Sequence, residues 1–441
     1  MLYKTYYDEQ EENHRIFKTI FRMVLNRPKK SDFEATRNLM SVKKRGKIQK
    51  KDADSKIHLV FLCQLPEIWN KILPVFNEAL GSNQFNITIL VVPMKKINSE
   101  TGVESWDNSE LSFFSQLPCR VIDAVNNADQ WVSLETLKPD YVFFQRPYDH
   151  YLPELYRSSI VSRYTKICYI PYGYLETSGK VFDICLDKNF YRFVYMFFAE
   201  NPYISKSSSK RFKISHFFKL RKTLSLGYPS LDTMAALGDT RCENNNFSEE
   251  DDKLKIVWTP RWTVDPEIGA SNFFKYKDKF IEYAKKNQKS YVLLRPHPLA
   301  FENFLNTGMM TAQELDDYKK NYDQSINASI DGERDYLSTF WKSDVLVTDI
   351  SSIIVEYFMT GKPIIYCVGT SGFNKFTNQM AQGFYWANSW EDIEKILMDL
   401  SQGKDVLKEK REELKVQLFG DHFGESSSKI VGAIIGDYME A

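Results

Sequence analysis

Short apolar segments of strand length recur along this chain, and amphipathic helical segments lie between them. Nearly continuous apolar runs are typical of strands that are covered on both faces of a parallel sheet. Repeated alternation of such strands with helices indicates a doubly wound α/β sheet. The runs are IHLVFL (57–62), ITILVV (87–92), RVIDAV (120–125), YVFFQ (141–145) and KICYIP (166–171) in the first half, and KIVWTP (255–260), YVLLRP (291–296), INASI (326–330), VLVTD (345–349) and PIIYC (363–367) in the second.

A polar, acidic segment at residues 242–253, CENNNFSEEDDK, separates two halves that share this rhythm. At ~100–200 residues per domain, the length of the chain suggests two or three domains. We predict two Rossmann-like doubly wound parallel-sheet domains facing a cleft, at residues 56–230 and 231–425. A helical and basic extension at residues 1–55 precedes them, and a C-terminal helix at residues 426–441 follows.

The composition excludes several classes of protein. The 58 lysines and arginines balance the 58 aspartates and glutamates, so there is no global case for nucleic-acid binding. The six cysteines lack metal-site spacing and are typical of reduced residues in a cytosolic protein. The N-terminal sequence is acidic where a signal peptide is basic, and no run approaches the ~20 apolar residues of a membrane span. We expect a soluble cytoplasmic protein with no nucleic-acid partner.

Polar side chains follow three strands of the second half, where open α/β sheets bind their ligands. Arg261 follows one strand, and Arg295 and His297 follow the next, with a proline on both sides of the histidine. After the third strand come Thr348, Asp349, Ser351, Ser352 and Glu356.

These residue types together suit a phosphate-bearing ligand. A helix N-terminus offers free N–H groups and the positive end of its dipole, serine hydroxyls add donors, and arginines supply planar cationic forks. Other roles are open for each residue alone. Asp349 and Ser351 could be helix N-caps, Arg295 an ion-pair partner, His297 an ordinary loop histidine, and Glu356 a solvent-facing residue.

Aromatic and polar residues also follow two strands of the first half. An aromatic wall rich in hydroxyl groups suits a sugar or polyol acceptor, and packing of tyrosines at an interface is the alternative. The residues are Gln145, Arg146, Tyr148, Asp149 and His150 after one strand and Tyr172, Gly173 and Tyr174 after the next.

The segments LGYPSLD, IVWTPRWT, LLRPHP and SDVLVTDISSIIVEYFMTGKPIIY, in this order, resemble the CDP-glycerol glycerophosphotransferase family. Its members are teichoic-acid and capsule polymerases with a two-Rossmann glycosyltransferase-B (GT-B) fold. The resemblance is strong from about Gly227 to Tyr366 and weaker from Lys56 to Gly173. It implies that the second domain binds a CDP-polyol, that an acceptor hydroxyl attacks the distal phosphorus, and that CMP leaves.

The resemblance also assigns roles to residues. It implies a diphosphate site built from Arg261, Arg295, His297, Thr348, Asp349, Ser351 and Ser352, with Glu356 as a ribose contact. Gln145, Arg146, Tyr172, Gly173 and Tyr174 become the predicted acceptor contacts. His297, Arg295, His150 and Tyr172 become the candidate catalytic residues.

One motif departs from the family pattern. The polymerases usually carry Trp-His-Gly-Thr in the first domain, and its histidine is taken as the general base. The matching segment here is IPYGYLET, with Tyr172 in the histidine's place. A tyrosine with a pKa of ~10 is a poor base at neutral pH. Three interpretations remain: Tyr172 only orients the acceptor, another group such as His150 is the base, or donor and acceptor differ.

We therefore expect a transferase that moves glycerol phosphate, or a related polyol phosphate, from a CDP-activated donor to a cell-envelope glycan or lipid-linked acceptor. The alternatives are a GT-B glycosyltransferase that uses a nucleotide sugar and an inactive nucleotide-binding homologue. No cofactor and no metal cluster are expected, although Asp349 could hold a divalent ion. Basic and aromatic residues within 206–222 predict contact with the anionic inner face of the membrane, and a solvated loop is the alternative.

Overall fold

The computed structural model describes residues 29–48, 55–97, 102–126, 130–239, 252–420 and 423–440. Residues 1–28 of the predicted helical and basic extension lie outside them. The chain divides into two compact units. Unit 1 consists of Met1–Tyr172, Cys185–Pro229 and Ser426–Ala441, and unit 2 consists of Gly173–Ile184 and Ser230–Glu425. The predicted domain ranges were continuous, whereas the chain enters unit 2 twice.

Each unit contains one parallel sheet. The strands of unit 1 are β1 (Ile57–Cys63), β2 (Phe85–Val91), β3 (Met94–Ile97), β4 (Glu104–Asp107), β5 (Arg120–Asp123), β6 (Tyr141–Phe144), β7 (Lys166–Tyr169), β8 (Met196–Phe198) and β9 (Lys222–Leu224). Those of unit 2 are β10 (Leu254–Thr259), β11 (Ser290–Leu294), β12 (Ala328–Ile330), β13 (Val345–Thr348), β14 (Ile364–Cys367) and β15 (Tyr385–Ala387).

Both sheets follow the doubly wound pattern. The strand order is β5-β2-β1-β6-β7-β8-β9 in unit 1 and β12-β11-β10-β13-β14-β15 in unit 2, and β3 pairs with β4 in a separate antiparallel ribbon. In each sheet the first strand is central, and the chain later returns to its other side. The strand order therefore reverses between β1 and β6 and between β10 and β13. Such switch points are where open α/β sheets bind ligands.

The predicted strands are confirmed with shifts of one or two residues at their ends. β6, β7, β13 and β14 are buried along their whole length, which explains their unbroken apolar sequences. Sequence reasoning missed the short strands β3, β4, β8, β9 and β15. The basic and aromatic segment within 206–222 contributes to two helices and to β9.

The helices, in chain order, are α1 (Lys30–Ile48), α2 (Leu73–Gly81), α3 (Leu111–Phe114), α4 (Ser158–Val161), α5 (Gly179–Leu186), α6 (Phe190–Phe193), α7 (Pro202–Arg211), α8 (Lys213–Phe217), α9 (Ser230–Asp239), α10 (Phe273–Lys286), α11 (Ala300–Asn306), α12 (Ala312–Asp323), α13 (Tyr336–Lys342), α14 (Ile354–Phe358), α15 (Lys375–Met380), α16 (Trp390–Ser401), α17 (Lys408–Phe419) and α18 (Ser426–Glu440). Short 3₁₀ turns occur at Pro66–Lys71, Leu134–Leu137, Asp149–Tyr151, Glu154–Tyr156, Pro266–Ile268 and Ala381–Gly383. None of these described helices combines the length and the apolar character that crossing a bilayer requires.

Helix ends follow local sequence signals. Ser389 caps α16, since its Oγ accepts from the amide of Asp392 while the Asp392 carboxylate accepts from the amide of Ser389. The amphipathic segment at residues 67–80 is divided between the 3₁₀ turn Pro66–Lys71 and α2. Pro74 lies in the first turn of α2, where a missing N–H is tolerated.

The C-terminal helix α18 packs against α2 and belongs to unit 1. Its Asp437 carboxylate is buried at the amino ends of the strands in the unit-1 parallel sheet. It accepts hydrogen bonds from Lys166 Nζ at 2.6 Å, Tyr141 Oη at 2.7 Å and Tyr195 Oη at 2.8 Å, and it pairs with Lys222 Nζ at 2.8 Å. Asp437 thus connects the last helix to the first residues of β6, β7 and β9 and to the residue before β8.

The core of unit 2 is aromatic on one side of its sheet. The Trp258 ring stacks on Phe280 with 4.3 Å between centroids and on Phe273 at 5.7 Å. Trp258 belongs to β10, one residue before the strand ends, so the core fixes the loop that begins at the carboxyl end of β10.

Candidate functional site

The loops that leave β10 and β13 in unit 2 are joined by one carboxylate. Asp349 follows β13 and is 4% exposed. Its oxygens accept from the amide of Arg261 at 2.8 Å, from the amide of Asn272 at 3.1 Å and from Asn272 Nδ2 at 2.7 Å. Burial raises the pKa of Asp349, and the hydrogen bonds from Arg261 and Asn272 oppose that rise. Asp349 therefore builds the switch point rather than presenting its carboxylate to a ligand.

Two expectations for this segment are corrected. Helix α14 begins at Ile354, with Ile353 as its N-cap and no side-chain cap, so neither Asp349 nor Ser351 is an N-cap. The helix has five residues, which is too short to support the predicted anion site at its N-terminus. Asp349 also does not fit as a metal ligand, because its lone pairs are directed at N–H groups.

Thr348 is fully buried and also structural. Its Oγ1 accepts from Thr259 Oγ1 at 2.8 Å and contacts the Asp349 carbonyl oxygen at 2.9 Å. Ser351 and Ser352, one turn further, are partly exposed. Within the described part of the chain neither serine hydroxyl is engaged in an internal hydrogen bond, so both remain able to bind a ligand.

Arg261 connects the two loops. Its backbone is fixed by Asp349, and its Nη1 donates to the carbonyl oxygen of Ile350 at 2.7 Å. The ring centroids of the neighbouring residue Trp262 and of His297 are 6.1 Å apart. Desolvation and the charge of Arg261 lower the pKa of His297. The structure thus brings together Arg261, His297 and the turn that carries the two serines.

Arg295 makes the ion pair that was its alternative role. Its Nη1 lies 2.5 Å from Asp331 Oδ2, its Nη2 donates to the Glu333 carbonyl oxygen at 2.7 Å, and its guanidinium covers the Tyr336 ring at 5.2 Å. The Tyr336 hydroxyl in turn donates to Glu356 at 3.1 Å. Arg295 is therefore connected to Glu356 through Tyr336 and does not contact it directly.

Glu356 is buried and does not face solvent. It is 1% exposed, and its Oε1 also accepts from Ser230 Oγ at 2.7 Å. With Tyr336 as a second donor, the carboxylate connects α9, α13 and α14 inside unit 2. This position makes a direct contact with a ribose hydroxyl less suitable than expected.

A segment after β7 contributes residues that sequence reasoning missed. Gly173 lies beside Ser352: a β-carbon at this glycine would be in van der Waals contact with the serine Oγ, at 3.4 Å. Glu176 follows and is 6% exposed, with Arg261 and Glu356 as the charged side chains around it. Glu176 lies within the segment IPYGYLET, but the sequence analysis assigned it no role. Tyr174, a predicted acceptor contact, is instead 2% exposed and packs near Phe376.

Unit 1 carries a second cluster at the carboxyl ends of β6 and β7. We call it the tyrosine cluster: Arg146, Tyr148, Tyr151, Tyr172 and Lys188. The Arg146 guanidinium covers the Tyr151 ring at 4.5 Å, and Lys188 Nζ covers the Tyr148 ring at 4.2 Å. The hydroxyls of Tyr148 and Tyr172 are 2.8 Å apart. Two cations beside phenol groups suit an acceptor that carries hydroxyls and phosphate.

The candidate bases of unit 1 have opposite pKa shifts. Burial and the adjacent Tyr148 raise the pKa of Tyr172, which makes it a still poorer base than a free tyrosine. Desolvation and the charges of Arg146 and Lys188 lower the pKa of His150 to about 4. His150 is thus neutral at pH 7 but only weakly basic.

Gln145 and Asp149 serve the fold. The Gln145 Oε1 accepts from the amides of Gln64 and Leu65 at 2.7 and 2.9 Å. Its side chain therefore links the loops that follow β1 and β6 at the switch point of the unit-1 sheet. The Asp149 carboxylate accepts from the amide and the hydroxyl of Ser158 at 2.7 and 2.6 Å. Both side chains are therefore engaged within unit 1.

Two further structural facts bear on the choice of ligand. Among the described residues, no group of three or more His, Cys, Asp or Glu side chains is arranged to hold a metal ion. A groove of about 980 Å³ in unit 2 is lined by Leu254, Ser290 and Asp344 among others. Those residues lie at the amino ends of β10, β11 and β13, at the opposite edge of the sheet from Arg261.

Comparison with known proteins gives one family and a set of related folds. A family model described as CDP-glycerol:poly(glycerophosphate) glycerophosphotransferase matches residues 189–434. The wall teichoic acid polymerase TagF shares 14% identity at a TM-score of 0.52, with 98% of each chain covered. A UDP-GlcNAc 2-epimerase from Neisseria meningitidis, solved with UDP-GlcNAc bound, shares 13% identity at a TM-score of 0.54, covering 86% of this chain and 100% of its own. No curated protein matches by sequence. The predicted pair of Rossmann-like units of GT-B type is confirmed.

Proposed function

Because the chain belongs to the CDP-glycerol:poly(glycerophosphate) glycerophosphotransferase family, we propose that it transfers glycerol phosphate, or a related polyol phosphate, from a CDP-activated donor to a hydroxyl of a cell-envelope glycan. An acceptor oxygen forms a bond to the distal phosphorus, the bond to the CMP phosphate breaks, and CMP leaves. The reaction needs in-line positioning and positive charge at the phosphate oxygens. It needs no covalent intermediate on the protein.

The observation that carries this proposal is the placement of Arg261. Its backbone is fixed by Asp349 and its Nη1 by the Ile350 carbonyl oxygen, at the switch point of the unit-2 sheet. The hydroxyls of Ser351 and Ser352 follow directly in the same turn. A pre-positioned guanidinium beside hydroxyl donors is suited to a diphosphate, since little ordering is needed on binding.

Arg261→Met tests this donor site. A hydrogen bond to a charged group contributes about 1.5–3 kcal/mol, so CDP-glycerol affinity measured by calorimetry should fall roughly 10–100-fold. Arg37→Met, an exposed arginine of α1 in unit 1, is the matched control and should bind as the wild type does. Equal affinity of Arg261→Met and wild type would refute this donor site.

The nature of the donor is tested by the product. CMP release from CDP-glycerol, dependent on acceptor, is the expected result. A nucleotide-sugar transferase would instead release a nucleoside diphosphate, an option kept open by the likeness to an epimerase that binds UDP-GlcNAc. Tight binding of CDP-glycerol without any CMP release would indicate a non-catalytic homologue.

We place the acceptor at the tyrosine cluster of unit 1. Arg146 and Lys188 supply positive charge, and the paired hydroxyls of Tyr148 and Tyr172 can orient an acceptor hydroxyl. Lys188→Met should raise the KM for the acceptor and leave donor affinity unchanged. Lys138→Met, a turn lysine of the same unit, is the control.

We also propose that α7 and α8 contact an anionic bilayer, where a lipid-linked acceptor would reside. Phe217 is 82% exposed and Phe218 53% exposed, and exposed Lys210, Lys213 and Lys219 surround them. Exposed aromatic rings among lysines are typical of surfaces that lie in a membrane interface. The protein should float with vesicles containing phosphatidylglycerol at low salt, and Phe217→Ser/Phe218→Ser should abolish flotation. Val416→Ser, equally exposed in unit 2, should not change it, and absence of wild-type flotation would end the proposal.

A further inference from the structure

Glu176 is a buried carboxyl group close to the donor site, and no predicted role uses it. We propose that Glu176 accepts the proton of the attacking acceptor hydroxyl, the task of the histidine that this chain lacks at Tyr172. This inference rests on the proposed function. It assigns the base to unit 2, the unit in which we place the donor, and not to His150 or Tyr172 of unit 1.

The backbone around Glu176 is held in place on both sides. The carbonyl oxygen of Glu176 accepts from the amide of Asn374 at 2.7 Å, and the Leu175 carbonyl oxygen accepts from Asn374 Nδ2 at 2.5 Å. Thr177 forms an isolated antiparallel bridge with Phe373. Such pinning fixes the carboxyl group relative to the loops after β13 and β14, as positioning of a catalytic group requires.

The surroundings of the carboxyl group are those of the candidate donor site. The charged side chains that act on it are Arg261, from the loop after β10, and Glu356, from α14. The segment that carries it passes Ser352 at Gly173, where an added β-carbon would lie 3.4 Å from the serine Oγ. Glu176 thus lies among the residues that we assign to the diphosphate.

The carboxyl group of Glu176 also has acceptor capacity to spare. Among the described residues, the hydrogen bond that the structure gives it comes from its own backbone amide. By contrast, Asp349 accepts from Arg261 and Asn272, and Glu356 accepts from Ser230 and Tyr336. Those hydrogen bonds hold Asp349 and Glu356 to neighbouring elements of unit 2, whereas the carboxyl group of Glu176 keeps lone pairs for a substrate hydroxyl.

The protonation behaviour of Glu176 suits a base at neutral pH. Burial raises the pKa of Glu176 to about 7, the charge of Arg261 and its own amide oppose the rise, and Glu356 adds to it. A carboxyl group with this pKa is about half ionised at pH 7, and general bases are most effective when their pKa lies near the working pH. Tyr172 has its pKa raised and His150 has its pKa lowered to about 4, so neither matches the task as well.

The proposed step balances in protons and bonds. The Glu176 carboxylate takes the proton from the acceptor O–H as that oxygen bonds to the distal phosphorus. The bond from that phosphorus to the CMP phosphate oxygen breaks, and CMP leaves with the electron pair. The protonated Glu176 then loses its proton to water, and the site is restored.

The test is the pH dependence of CMP release by the full chain with CDP-glycerol and acceptor. In the wild type, kcat/KM should rise with pH through an apparent pKa near 7, because the base must be ionised. Glu176→Gln should lower kcat about 10²–10⁴-fold and abolish this rise of kcat/KM with pH, the acidic limb of the profile. Its affinity for CDP-glycerol should stay within threefold of wild type. Glu176→Asp should recover part of the rate and keep a shifted limb. Glu267→Gln, an exposed acid of the same unit, is the control.

The outcomes separate this inference from the function on which it rests. If the wild type releases no CMP from any CDP-polyol, the proposed function is wrong. If the wild type is active and Glu176→Gln keeps its rate and its acidic limb, the function stands and the assignment of the base is overturned. If Glu176→Gln loses both donor binding and activity, the assignment is also overturned, since Glu176 would then act in binding.

Discussion

Removing the charge of Asp437 is expected to detach the C-terminal helix from the sheet of unit 1. The carboxylate of this α18 residue is 3% exposed and bonds to Lys166, Tyr141, Tyr195 and Lys222. Asp437→Asn preserves size and shape but leaves Lys166, which is 7% exposed, without its counter-charge. The variant therefore isolates electrostatics from packing.

The size of the effect follows from the pKa of Asp437. Burial alone would raise it, but the charge of Lys166 and the hydrogen bonds from Lys166, Lys222 and Tyr141 outweigh burial and lower the pKa from 3.8 to about 2. At 1.36 kcal/mol per pKa unit this is about 2–3 kcal/mol of stabilisation by the ionised form. Losing one partner of a buried ion pair typically costs about 3–5 kcal/mol. We expect Asp437→Asn to destabilise unit 1 by about 2–4 kcal/mol.

The sign of the pH dependence is fixed by the lowered pKa. The stabilisation from Asp437 is fully present above the unfolded-state value of ~4 and is lost as pH falls through about 2. Wild type and Asp437→Asn should therefore converge in stability as pH falls from 4 toward 2.

Guanidinium denaturation at pH 7 measures the effect. The transition of unit 1 should move to lower denaturant, and a double-mutant cycle with Lys166→Met should recover part of the loss because the orphaned cation is gone. Asp399→Asn, whose partner Lys404 lies 3.9 Å away at the surface, should change stability by less than about 0.5 kcal/mol. If Asp437→Asn changed stability as little as Asp399→Asn does, the reasoning would be refuted.

Three further outcomes can be checked. Asp349→Ala leaves the amides of Arg261 and Asn272 without their acceptor and should lower the free energy of unfolding by about 3–5 kcal/mol in denaturation experiments, with loss of CDP-glycerol binding. Because the pKa of Glu176 is raised from 4.5 to about 7, its ionisation destabilises the fold as pH rises from 4.5 through 7. Glu176→Gln should accordingly be more stable than wild type by up to about 3 kcal/mol at pH 8, and no gain would show that the acid is not desolvated. Tyr172→Phe removes the hydroxyl that contacts Tyr148 and should raise the acceptor KM without moving the pH–rate profile, whereas loss of its acidic limb would identify Tyr172 as the base.

The fold could be predicted from sequence because its strands are buried on both faces. Runs such as VLVTD and KICYIP have no polar alternation, and the strands β13 and β7 within them are fully buried. β3, β4, β8, β9 and β15 were not predicted; each has three or four residues, which gives little periodic signal, although β12 is as short and was predicted. Sequence patterns could not predict that residues 173–184 belong to unit 2. Their attachment there includes the bridge between Thr177 and Phe373, a contact between distant parts of the chain.

Sequence patterns point to the place of the proposed donor site, but they do not separate residues that could contact a ligand from residues that hold the loops. The strand ends directed attention to Arg261 and to the turn with Ser351 and Ser352, which we propose as the donor site. Sequence cannot tell whether a polar side chain at such an edge serves a ligand or the loop itself, and Asp349 and Gln145 serve the loops through backbone amides. Glu176 was missed for the opposite reason, because its surroundings come from β10 and α14, far away in sequence.

A crystal structure with CDP-glycerol bound is the most direct test of where the donor lies. We expect diphosphate oxygens within about 3 Å of the Arg261 guanidinium and of a hydroxyl of Ser351 or Ser352. Diphosphate bound instead in the groove at the amino ends of β10 and β11, beside Leu254 and Ser290, would contradict the assignment of the switch point as the donor site.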